Sequence, residues 1–381
     1  DHLVEPGLVA LQQRLDVGRH LPSAASNALS ICATSLSVPA FLQAAVLIVA
    51  SPLSPHSVIV VGALLDARRK SSIATDGADA RTEMAATAAA SRGEQGIDVT
   101  RNLITGEIVP FTGHAVILAT GGYGNVYHMS TLAKNSNASA MMRAYDSGAY
   151  LASPAFVQFH PTGLPVNSDW QSKTILMSES LRNDGRIWTP KEKGDDRDPN
   201  EIPDEERDYF LERRYPAFGN LVPRDVASRA ISQQLNDGYG VGPLHNSAYL
   251  DFTDAIERLG EDTIRERYSN LFEMYEDSTG DDPYKSPMRI APTVHFTMGG
   301  LWTDFNEMTS IDGLFAAGEC SWTYHGANRL GANSLLSASV DGWFTLPFTV
   351  PNYLADHLGE EALPEDSREA QDVVADVTER I

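Results

Sequence analysis

The sequence has little cysteine, few basic residues and no long apolar run. Two cysteines, Cys32 and Cys320, occur among 381 residues, so no disulfide framework is predicted and a reducing, cytoplasmic compartment is favoured. The formal net charge of −22 argues against nucleic acid and against an acidic membrane surface as direct partners. The most apolar segment, at 40–50, is about half as long as a membrane-spanning helix and predicts a core strand or helix. No secretory signal is visible at the start.

The order of the sequence patterns predicts an α/β fold. Residues 1 to about 95 are rich in Ala, Ser, Leu and Val and lack clear turn signals. HAVILATGGYG, at 114–124, is typical of a buried strand that ends in a glycine-rich turn. Residues 165 to about 290 are polar and mixed, with helical patterns, and strand patterns return from 295. This polar, mixed segment lies between two segments with α/β patterns. The order predicts a nucleotide-type fold that is interrupted by a second domain.

Acidic residues concentrate in two segments, 191–208 and the residues after His357. Both are predicted to be solvated surface, and the first is predicted to be an exposed loop. No metal site is predicted for this chain.

Two strand patterns end in small residues, which would let the backbone approach a ligand closely. The first strand is followed by Thr120, Gly121 and Gly122, and the second, GLFAAGEC, carries Glu319. They look like two crossings of one sheet, and open α/β sheets bind ligands at the carboxyl ends of their strands. Glu319 would accept hydrogen bonds from ribose-like hydroxyls, or it would be an ordinary carboxylate of a surface turn. Both glycine turns could equally be structural.

A helix is predicted to begin at Asn333, directly after the small-residue loop HGANRLG. The first N–H groups of this helix, at Ser334 and Leu335, would be unpaired and would lie at the positive end of the helix dipole. Such an end would stabilise negative charge on an electron-accepting ring when that ring is reduced. An ordinary N-cap is the alternative.

Four cationic or imidazole side chains stand beside Gly, Pro or Thr, namely His160, Arg224, His295 and Arg329. A single histidine next to an apolar strand is more often a core residue, and the Arg224-Asp225 pair is more often a salt bridge at a helix start. Four such positions in turns predict a shared cleft for a small dicarboxylate, because guanidinium groups bind carboxylates in a bidentate manner.

Seven segments resemble the flavoprotein subunits of succinate dehydrogenases and fumarate reductases in their order and spacing. They lie within about residues 97–355 and read HAVILATGGYGNVY, FHPTGLP, MSESLRNDGRIW, ERRYPAFGNLVPRDVASRAI, APTVHFTMGGLWTDF, GLFAAGEC and HGANRLGANSL. The segments SESLRNDGR and YPAFGNLVPRD resemble the branch whose members usually work with a di-haem membrane cytochrome.

The resemblance implies a Rossmann-like FAD-binding domain, incomplete in this chain, that is interrupted by an α+β capping domain. The implied division is an unassigned segment at 1–96, the first part of the FAD-binding domain at 97–160, the capping domain at 161–294, the second part of the FAD-binding domain at 295–355 and an acidic tail at 356–381. The cofactor would be FAD, held by the residues after the two strands and at the helix start.

The resemblance also implies roles at the substrate. His160, Ser178, His295 and Arg329 match the family's ligands of the substrate carboxylates, with Ser178 standing where many relatives have Thr. Arg224 matches the arginine that moves a proton to or from one substrate carbon while a hydride passes between the other carbon and the flavin.

The proton of Arg224 would come through a relay, and three residues match it, namely Glu179, Arg182 and Asp225. A free guanidinium is a weak acid. Crowding by Arg182 and a hydrogen-bonded path through Glu179 would make proton sharing more favourable.

Three features of the family are missing from the sequence. There is no G-x-G-x-x-G turn for the FAD pyrophosphate, and the nearest segment, at 57–69, has one glycine where three are needed. In that segment Leu64 and Leu65 would crowd a pyrophosphate. The histidine that bonds covalently to the flavin has no counterpart, and the helical C-terminal domain is cut short after about residue 356.

The function implied by the resemblance is oxidation of succinate to fumarate, or the reverse, with electrons passed to an iron-sulfur subunit. A membrane cytochrome b subunit would complete the assembly, at the cytoplasmic face of the cell membrane. The alternatives are an L-aspartate oxidase-like flavoenzyme, which shares several motifs, and a catalytically incompetent remnant that cannot hold FAD.

Overall fold

The structure is a computed structural model, and it describes most of the chain after residue 95. The described residues are 48–49, 58–62, 90–91 and 96–380, apart from 102–104, 135, 168–170, 172, 323 and 362. The predictions for Cys32, for most of the segment at 40–50, and for Leu64 and Leu65 lie outside the described residues.

The described strands and helices are numbered in chain order. The strands are β1 (Ile48–Val49), β2 (Val58–Gly62), β3 (Ala90–Ser91), β4 (Gly96–Arg101), β5 (Ile108–Gly113), β6 (Ala115–Ala119), β7 (Leu151–Ala152), β8 (Val157–Gly163), β9 (Arg186–Pro190), β10 (Arg207–Asp208), β11 (Ala248–Asp251), β12 (Met288–Thr297), β13 (Gly300–Leu301) and β14 (Leu314–Ala316). The helices are α1 (Ser139–Asp146), α2 (Phe210–Arg214), α3 (Arg224–Gln234), α4 (Thr253–Leu259), α5 (Glu261–Thr279), α6 (Asn333–Val340), α7 (Leu346–Ala355) and α8 (Arg368–Arg380).

A mostly parallel sheet holds its strands in the order β1-β2-β6-β14. Strands β2, β6 and β14 run parallel, and β1 is antiparallel to β2. Both faces of β6 are buried, since Val116 and Leu118 pack in one apolar cluster and Ala115 and Ile117 pack in another. A parallel strand covered on both faces has a continuous apolar sequence, which is the pattern from which this strand was predicted. The turn after β6 and Glu319 after β14 therefore lie at one edge of the sheet, as predicted.

Strand β2 belongs to the segment that the sequence analysis left unassigned. It pairs in parallel with β6 from Val58 opposite Ala115 to Gly62 opposite Ala119. So short an apolar run does not distinguish a buried strand from a buried helix by periodicity, which is why the sequence alone did not assign it. Strand β4 begins at Gly96, so the antiparallel sheet β3-β4-β5 extends across the predicted boundary after residue 96. The domain boundaries stay predictions.

The inserted segment folds around an antiparallel sheet in the order β10-β9-β11-β12-β8. Its apolar cluster joins strand residues such as Leu250 to helix residues such as Phe210 and Phe272. Strands β8 and β12, at the two ends of the insertion, pair with each other antiparallel. The chain therefore enters and leaves this part of the fold at neighbouring positions, and that strand pair lies beside the candidate active site.

The acidic tail is more than the solvated surface that was predicted. Helix α8 packs on the β4-β5 hairpin, where Ala370 and Val377 join Ile97 and Val99 in one apolar cluster. Its apolar residues recur at helical spacing and form a stripe, while the acidic residues face outward. The segment at 191–208 is mostly exposed, as predicted. Within the part of the chain that the structure describes, no helix is both long and apolar enough to cross a membrane.

We expect Phe272→Ala to lower the free energy of unfolding by about 3–5 kcal/mol, because it removes a fully buried ring and leaves a cavity. The ring is 1% exposed and its centroid lies 4.9 Å from that of Phe252. Phe305→Ala is the matched control, because Phe305 is fully exposed, and it should change stability by no more than about 0.5 kcal/mol. Urea unfolding followed by circular dichroism measures both. Equal losses in the two variants would contradict the assigned core.

Candidate active site

The strand pair β8-β12 brings two histidines together. His160 on β8 lies opposite Thr293 on β12, and the ladder then continues with Val294 and Phe296 while His295 has no partner strand residue. An unpaired extra residue of this kind is a β-bulge, which redirects its side chain. The rings of His160 and His295 have centroids 5.2 Å apart and meet edge to face.

Both imidazoles are neutral at pH 7. Burial, followed by the charges of Arg224 and the neighbouring ring, lowers the pKa of His160 far below its ordinary value. Burial, followed by the charge of Arg329, lowers the pKa of His295 to about 3. The hydroxyl of Thr162 lies 3.0 Å from Nδ1 of His160, and the hydroxyl of Thr131 lies 2.9 Å from Nδ1 of His295. The rings therefore offer hydrogen bonds, while the positive charge of the site comes from arginines.

Glu179 is held between two guanidinium groups. Its Oε1 accepts a hydrogen bond from Nη2 of Arg182 at 2.5 Å, and its Oε2 accepts from Nε of Arg224 at 2.8 Å. Burial raises the pKa of Glu179, but the hydrogen bonds and charges of Arg224 and Arg182 more than offset it and hold the pKa below its ordinary value. Glu179 is thus an ionised link between the two arginines.

Arg182 and Arg224 are placed by backbone structure. Arg182 is 3% exposed, and its Nη1 donates to the carbonyl oxygens of Asn220 and Val222 at 2.7 and 2.9 Å. Arg224 is the first residue of α3, directly after Pro223. Pro223 has a fixed φ and no N–H group of its own to pair, which favours a helix start at this point.

Arg329 presents a buried cation to the same space. It is 5% exposed, and its Cζ lies 4.4 Å from the centroid of the Phe296 ring. Among the described residues its Nε has no hydrogen-bond partner. Burial, followed by the charge of Arg224, lowers its pKa to about 10, so it stays protonated at pH 7. A buried guanidinium with a free N–H group is well suited to receive an anion.

Gly331 lets the loop of Arg329 pass close to the relay. A Cβ atom at this position would lie 3.2 Å from Oε2 of Glu179 and 3.4 Å from Nη2 of Arg224. With three guanidinium groups against one ionised carboxylate, the cluster carries two net positive charges. This charge matches a dicarboxylate dianion.

Gln158 is a functional candidate that the sequence reasoning missed. It is 1% exposed, and its Oε1 accepts from Nη1 of Arg224 at 3.1 Å. Its Nε2 donates to the carbonyl oxygen of Arg329 at 2.6 Å and to Oδ1 of Asn328 at 2.8 Å. It thereby joins Arg224 to the loop of Arg329. The only sequence signal was its position two residues before His160, on the same face of a strand.

Two predicted residues lie at the edge of this cluster with other partners. The hydroxyl of Ser178 lies 2.8 Å from that of Ser180 and accepts from the Ser180 N–H, so it caps a short 3-10 turn. Asp225 accepts from Asn328 at 3.0 Å and pairs with Arg229, so it does not extend the chain of contacts through Arg182, Glu179 and Arg224. Its relay role stays a prediction.

The predicted cofactor residues after β6 and β14 lie side by side. Thr120, Gly121 and Gly122 follow β6, and Gly121 has φ +73°. A Cβ atom on Gly122 would lie 2.2 Å from Oε1 of Glu319, so a larger residue there would displace the Glu319 carboxylate. Glu319 accepts from the N–H of Thr297 at 2.9 Å. Burial raises the pKa of Glu319 to about 7, against the lowering effect of Thr297.

The start of α6 is open, as predicted. Ala332, in the left-handed conformation at φ +64°, precedes Asn333 and provides no side-chain cap. Two large apolar side chains stand beside this end, since Leu330 is 74% and Leu335 is 77% exposed. The N–H groups at Ser334 and Leu335 therefore lie next to an apolar surface at the positive end of a helix.

Comparison with known proteins agrees with this geometry. Residues 60–335 match the family described as FAD binding domain. The chain is 44% identical over 254 residues to the succinate dehydrogenase flavoprotein subunit of Bacillus subtilis, covering 66% of this chain and 40% of the relative. It is 34% identical over 305 residues to L-aspartate oxidase of Caulobacter vibrioides, covering 75% of this chain and 54% of that protein.

The fold is also similar to a solved structure. The FrdA subunit of Escherichia coli quinol fumarate reductase superposes with a TM-score of 0.60 at 31% identity, covering 77% of this chain and 48% of that one. The predicted fold class, α/β with a Rossmann-like FAD-binding domain, is thereby confirmed. The chain spans about 40% of the length of the B. subtilis relative that it matches.

We expect the histidine pair to make the fold less stable in acid. In the unfolded chain each histidine takes up a proton near pH 6.5, whereas the folded protein lowers both pKa values. Protons then bind preferentially to the unfolded state, and each ring costs up to about 1.4 kcal/mol per pH unit below pH 6.5.

The test compares urea unfolding at pH 7 and pH 5. His160→Gln combined with His295→Gln should remove the loss of stability between pH 7 and pH 5 that these rings cause, whereas His128→Gln, at an exposed position, should keep it. An unaltered slope in the double variant would show that these rings are not the source.

Proposed function

This chain belongs to the FAD binding domain family, and from that premise we propose that it interconverts succinate and fumarate. One observation carries the proposal: an Arg182–Glu179–Arg224 chain of contacts ends beside Arg329 and the two imidazoles. The cluster therefore has a positive charge that suits a dianion. It also has a chain of hydrogen-bonded groups that leads to the same space and would carry a proton.

FAD is the cofactor of this family, and the described residues fit its ring and ribose. The uncapped start of α6 offers N–H groups beside Leu330 and Leu335, which suits a flat ring that becomes anionic on reduction. Gly121 and Gly122 allow close approach of the backbone, and Glu319 would accept from ribose hydroxyls. The residues after Gly62, where the pyrophosphate would lie, are outside the described part of the chain.

The substrate carboxylates would be held by Arg329, His160, His295 and Ser178. Arg329 supplies charge and a free N–H group, while the neutral rings supply hydrogen bonds without repelling the arginines. Ser178 would have to turn its hydroxyl away from Ser180 to take part. The chemistry that FAD would supply here is that of a hydride acceptor for oxidation and of a hydride donor for reduction.

Proton transfer is the task of Arg224. During reduction, Arg224 would give a guanidinium proton to the substrate carbon and regain one from the side of Glu179 and Arg182. During oxidation, Arg224 would first pass a proton to Glu179, and its neutral guanidine would then take the proton from the substrate carbon. Burial lowers the pKa of Arg182, which eases proton sharing along this path. The hydrogen bonds to Glu179 and Gln158 fix the direction of the Arg224 side chain, so that little reorganisation is needed at the moment of transfer.

L-aspartate oxidation is the second candidate, since such enzymes are among the relatives. Aspartate carries an ammonium group, which requires an acceptor in the site. Both oxygens of Glu179 are held by guanidinium groups, and Oε1 of Gln158 accepts from Arg224. The bonding in the site therefore favours a dicarboxylate without an amine. A non-catalytic remnant that cannot hold FAD is the third candidate.

The partners and location follow from the same proposal. Electrons would pass to an iron-sulfur subunit and then to a membrane cytochrome b, and the chain would lie at the cytoplasmic face of the cell membrane through these partners. The similarity to a quinol fumarate reductase subunit supports this assembly.

Arg224→Lys should separate chemistry from binding. With FAD added, turnover of succinate with an artificial acceptor should fall by about 100-fold or more, because the proton donor is displaced. Binding of malonate, a non-reacting dicarboxylate, should change little, whereas Arg329→Ala should weaken it strongly.

Three outcomes would contradict the proposal. Absence of an FAD absorbance band after reconstitution would favour the remnant. Turnover of L-aspartate with oxygen, unaffected by succinate, would favour the oxidase. Equal loss of turnover and malonate affinity in Arg224→Lys would make Arg224 a structural residue.

Gln158→Leu should lower kcat by about tenfold while raising the KM less, because Arg224 keeps its charge but loses a bond that directs it. Gln158→Glu should lower kcat further, since a second carboxylate would hold the guanidinium proton more tightly. Steady-state kinetics across pH would measure both variants. A kcat that is higher in the glutamate variant than in the leucine variant would reject this role.

A further inference from the structure

Two buried carboxyl groups lie near Tyr324, at the start of the loop that carries Arg329. Glu307 is 1% exposed and Asp341 is fully buried. The hydroxyl of Tyr324 donates to Oε1 of Glu307 at 2.5 Å and also affects the pKa of Asp341. Neither residue has a part in the proposed chemistry.

This cluster connects three pieces of the site. Asp341, just after α6, accepts through Oδ2 from the N–H of Gly318 at 2.7 Å, one residue before Glu319. The carbonyl of Glu307 accepts from the N–H of Ala316 at 2.9 Å, at the end of β14. Tyr324 directly precedes the loop 325–332. The backbone bond of Glu307, the side-chain bond of Asp341 and the Tyr324–Glu307 hydrogen bond together connect that loop to the sheet edge and to α6.

The charges around the cluster are all of one sign. Besides Tyr324, the titratable groups that face it are Asp304, near Glu307, Cys320, near Asp341, and His325, whose ring meets that of Tyr324 edge to face. Burial, followed by the charge of Arg329, lowers the pKa of His325, so this imidazole adds no positive charge at pH 7. In the described part of the chain, no lysine, arginine or histidine forms an ion pair with either carboxyl group. Two buried carboxylates without a cation are costly unless a proton remains. Oδ1 of Asp341, which is buried and has no hydrogen-bond partner among the described residues, offers a place for one.

We propose that Glu307, Tyr324 and Asp341 are positioning residues that share a proton and, while they hold it, fix the loop 325–332 and with it Arg329. The inference deepens the proposed function, because the loop matters for dicarboxylate binding only if Arg329 binds the substrate.

A shared proton makes the cluster, and the loop that it holds, sensitive to pH. Burial raises the pKa of Glu307 to about 7, and burial also raises the pKa of Asp341. In the unfolded chain a glutamate loses its proton near pH 4.3. The folded state therefore holds more protons between those values, and its stability falls as the pH rises through that window. Above about pH 7 the cluster gains a second charge and the loop loosens.

Glu307→Gln tests this without removing the hydrogen bond, since the amide oxygen still accepts from Tyr324 but does not titrate. Trypsin cleavage after Arg329 reports the loop directly and needs no ligand. In the unaltered protein, cleavage should accelerate by about fivefold or more from pH 6.5 to pH 8.5, relative to cleavage at exposed Lys193 in the same sample. In the variant this ratio should stay constant.

Two further variants complete the test. Asp312→Asn removes an exposed carboxyl group close in sequence to β14 and should behave as the unaltered protein. Tyr324→Phe should leave the loop cleavable at both pH values. The same pH response in Glu307→Gln as in the unaltered protein would overturn the inference.

Malonate affinity separates this proposal from the proposed function. If both hold, malonate binding should weaken with rising pH in the unaltered protein and not in Glu307→Gln. If malonate does not bind at any pH, the proposed function fails, while the cleavage ratio still decides whether the cluster holds the loop.

Discussion

The site depends on one ionised carboxylate that is shared by two arginines. Glu179 takes one guanidinium on each oxygen, and without it Arg182, Arg224 and Arg329 would repel one another in a poorly solvated space. Arg182 is also held by two backbone carbonyl oxygens, so its position is fixed independently of Glu179. Arg224 is the arginine of the pair that is proposed to transfer the proton. The arrangement leaves a positive charge that only a bound anion would compensate, which is the expected compromise between stability and function at a binding site.

The antiparallel strand pair β8-β12 brings several side chains of the candidate site together. It carries Gln158 and His160 on one strand and His295 on the other, and the bulge at His295 directs that ring toward its neighbour. These strands lie at the two ends of the segment predicted as an insertion, so the groups proposed to bind substrate lie where the two parts of the fold join. Chemistry at such a junction combines residues from both sides, with Arg224 and Glu179 from the insertion and Arg329 from the loop before α6.

The places of these residues in the fold were predictable where they follow from local pattern. The turn after β6, Glu319 after β14 and the open start of α6 were each placed correctly, since a buried strand followed by small residues has few other forms. Asp225 shows the limit of this reasoning. The family resemblance implied a place in the relay for it, and that role stays a prediction. A helix directs consecutive side chains to different sides, and the partners of Asp225 in the structure are Asn328 and Arg229.

What the sequence by itself determined was the α/β fold class and the resemblance to a flavoprotein family, because strand patterns and segments such as FHPTG and HGANRLG are local; the resemblance in turn predicted a flavin-linked site for a diacid. The tertiary structure alone decided which groups touch. Gln158 reaches Arg224 and Arg329 across 66 and 171 positions of the chain, and helix α8 covers the β4-β5 hairpin through a stripe that looked like a solvated tail. Such contacts depend on the register of strands and on the packing of distant segments, and neither is written in any local stretch of residues.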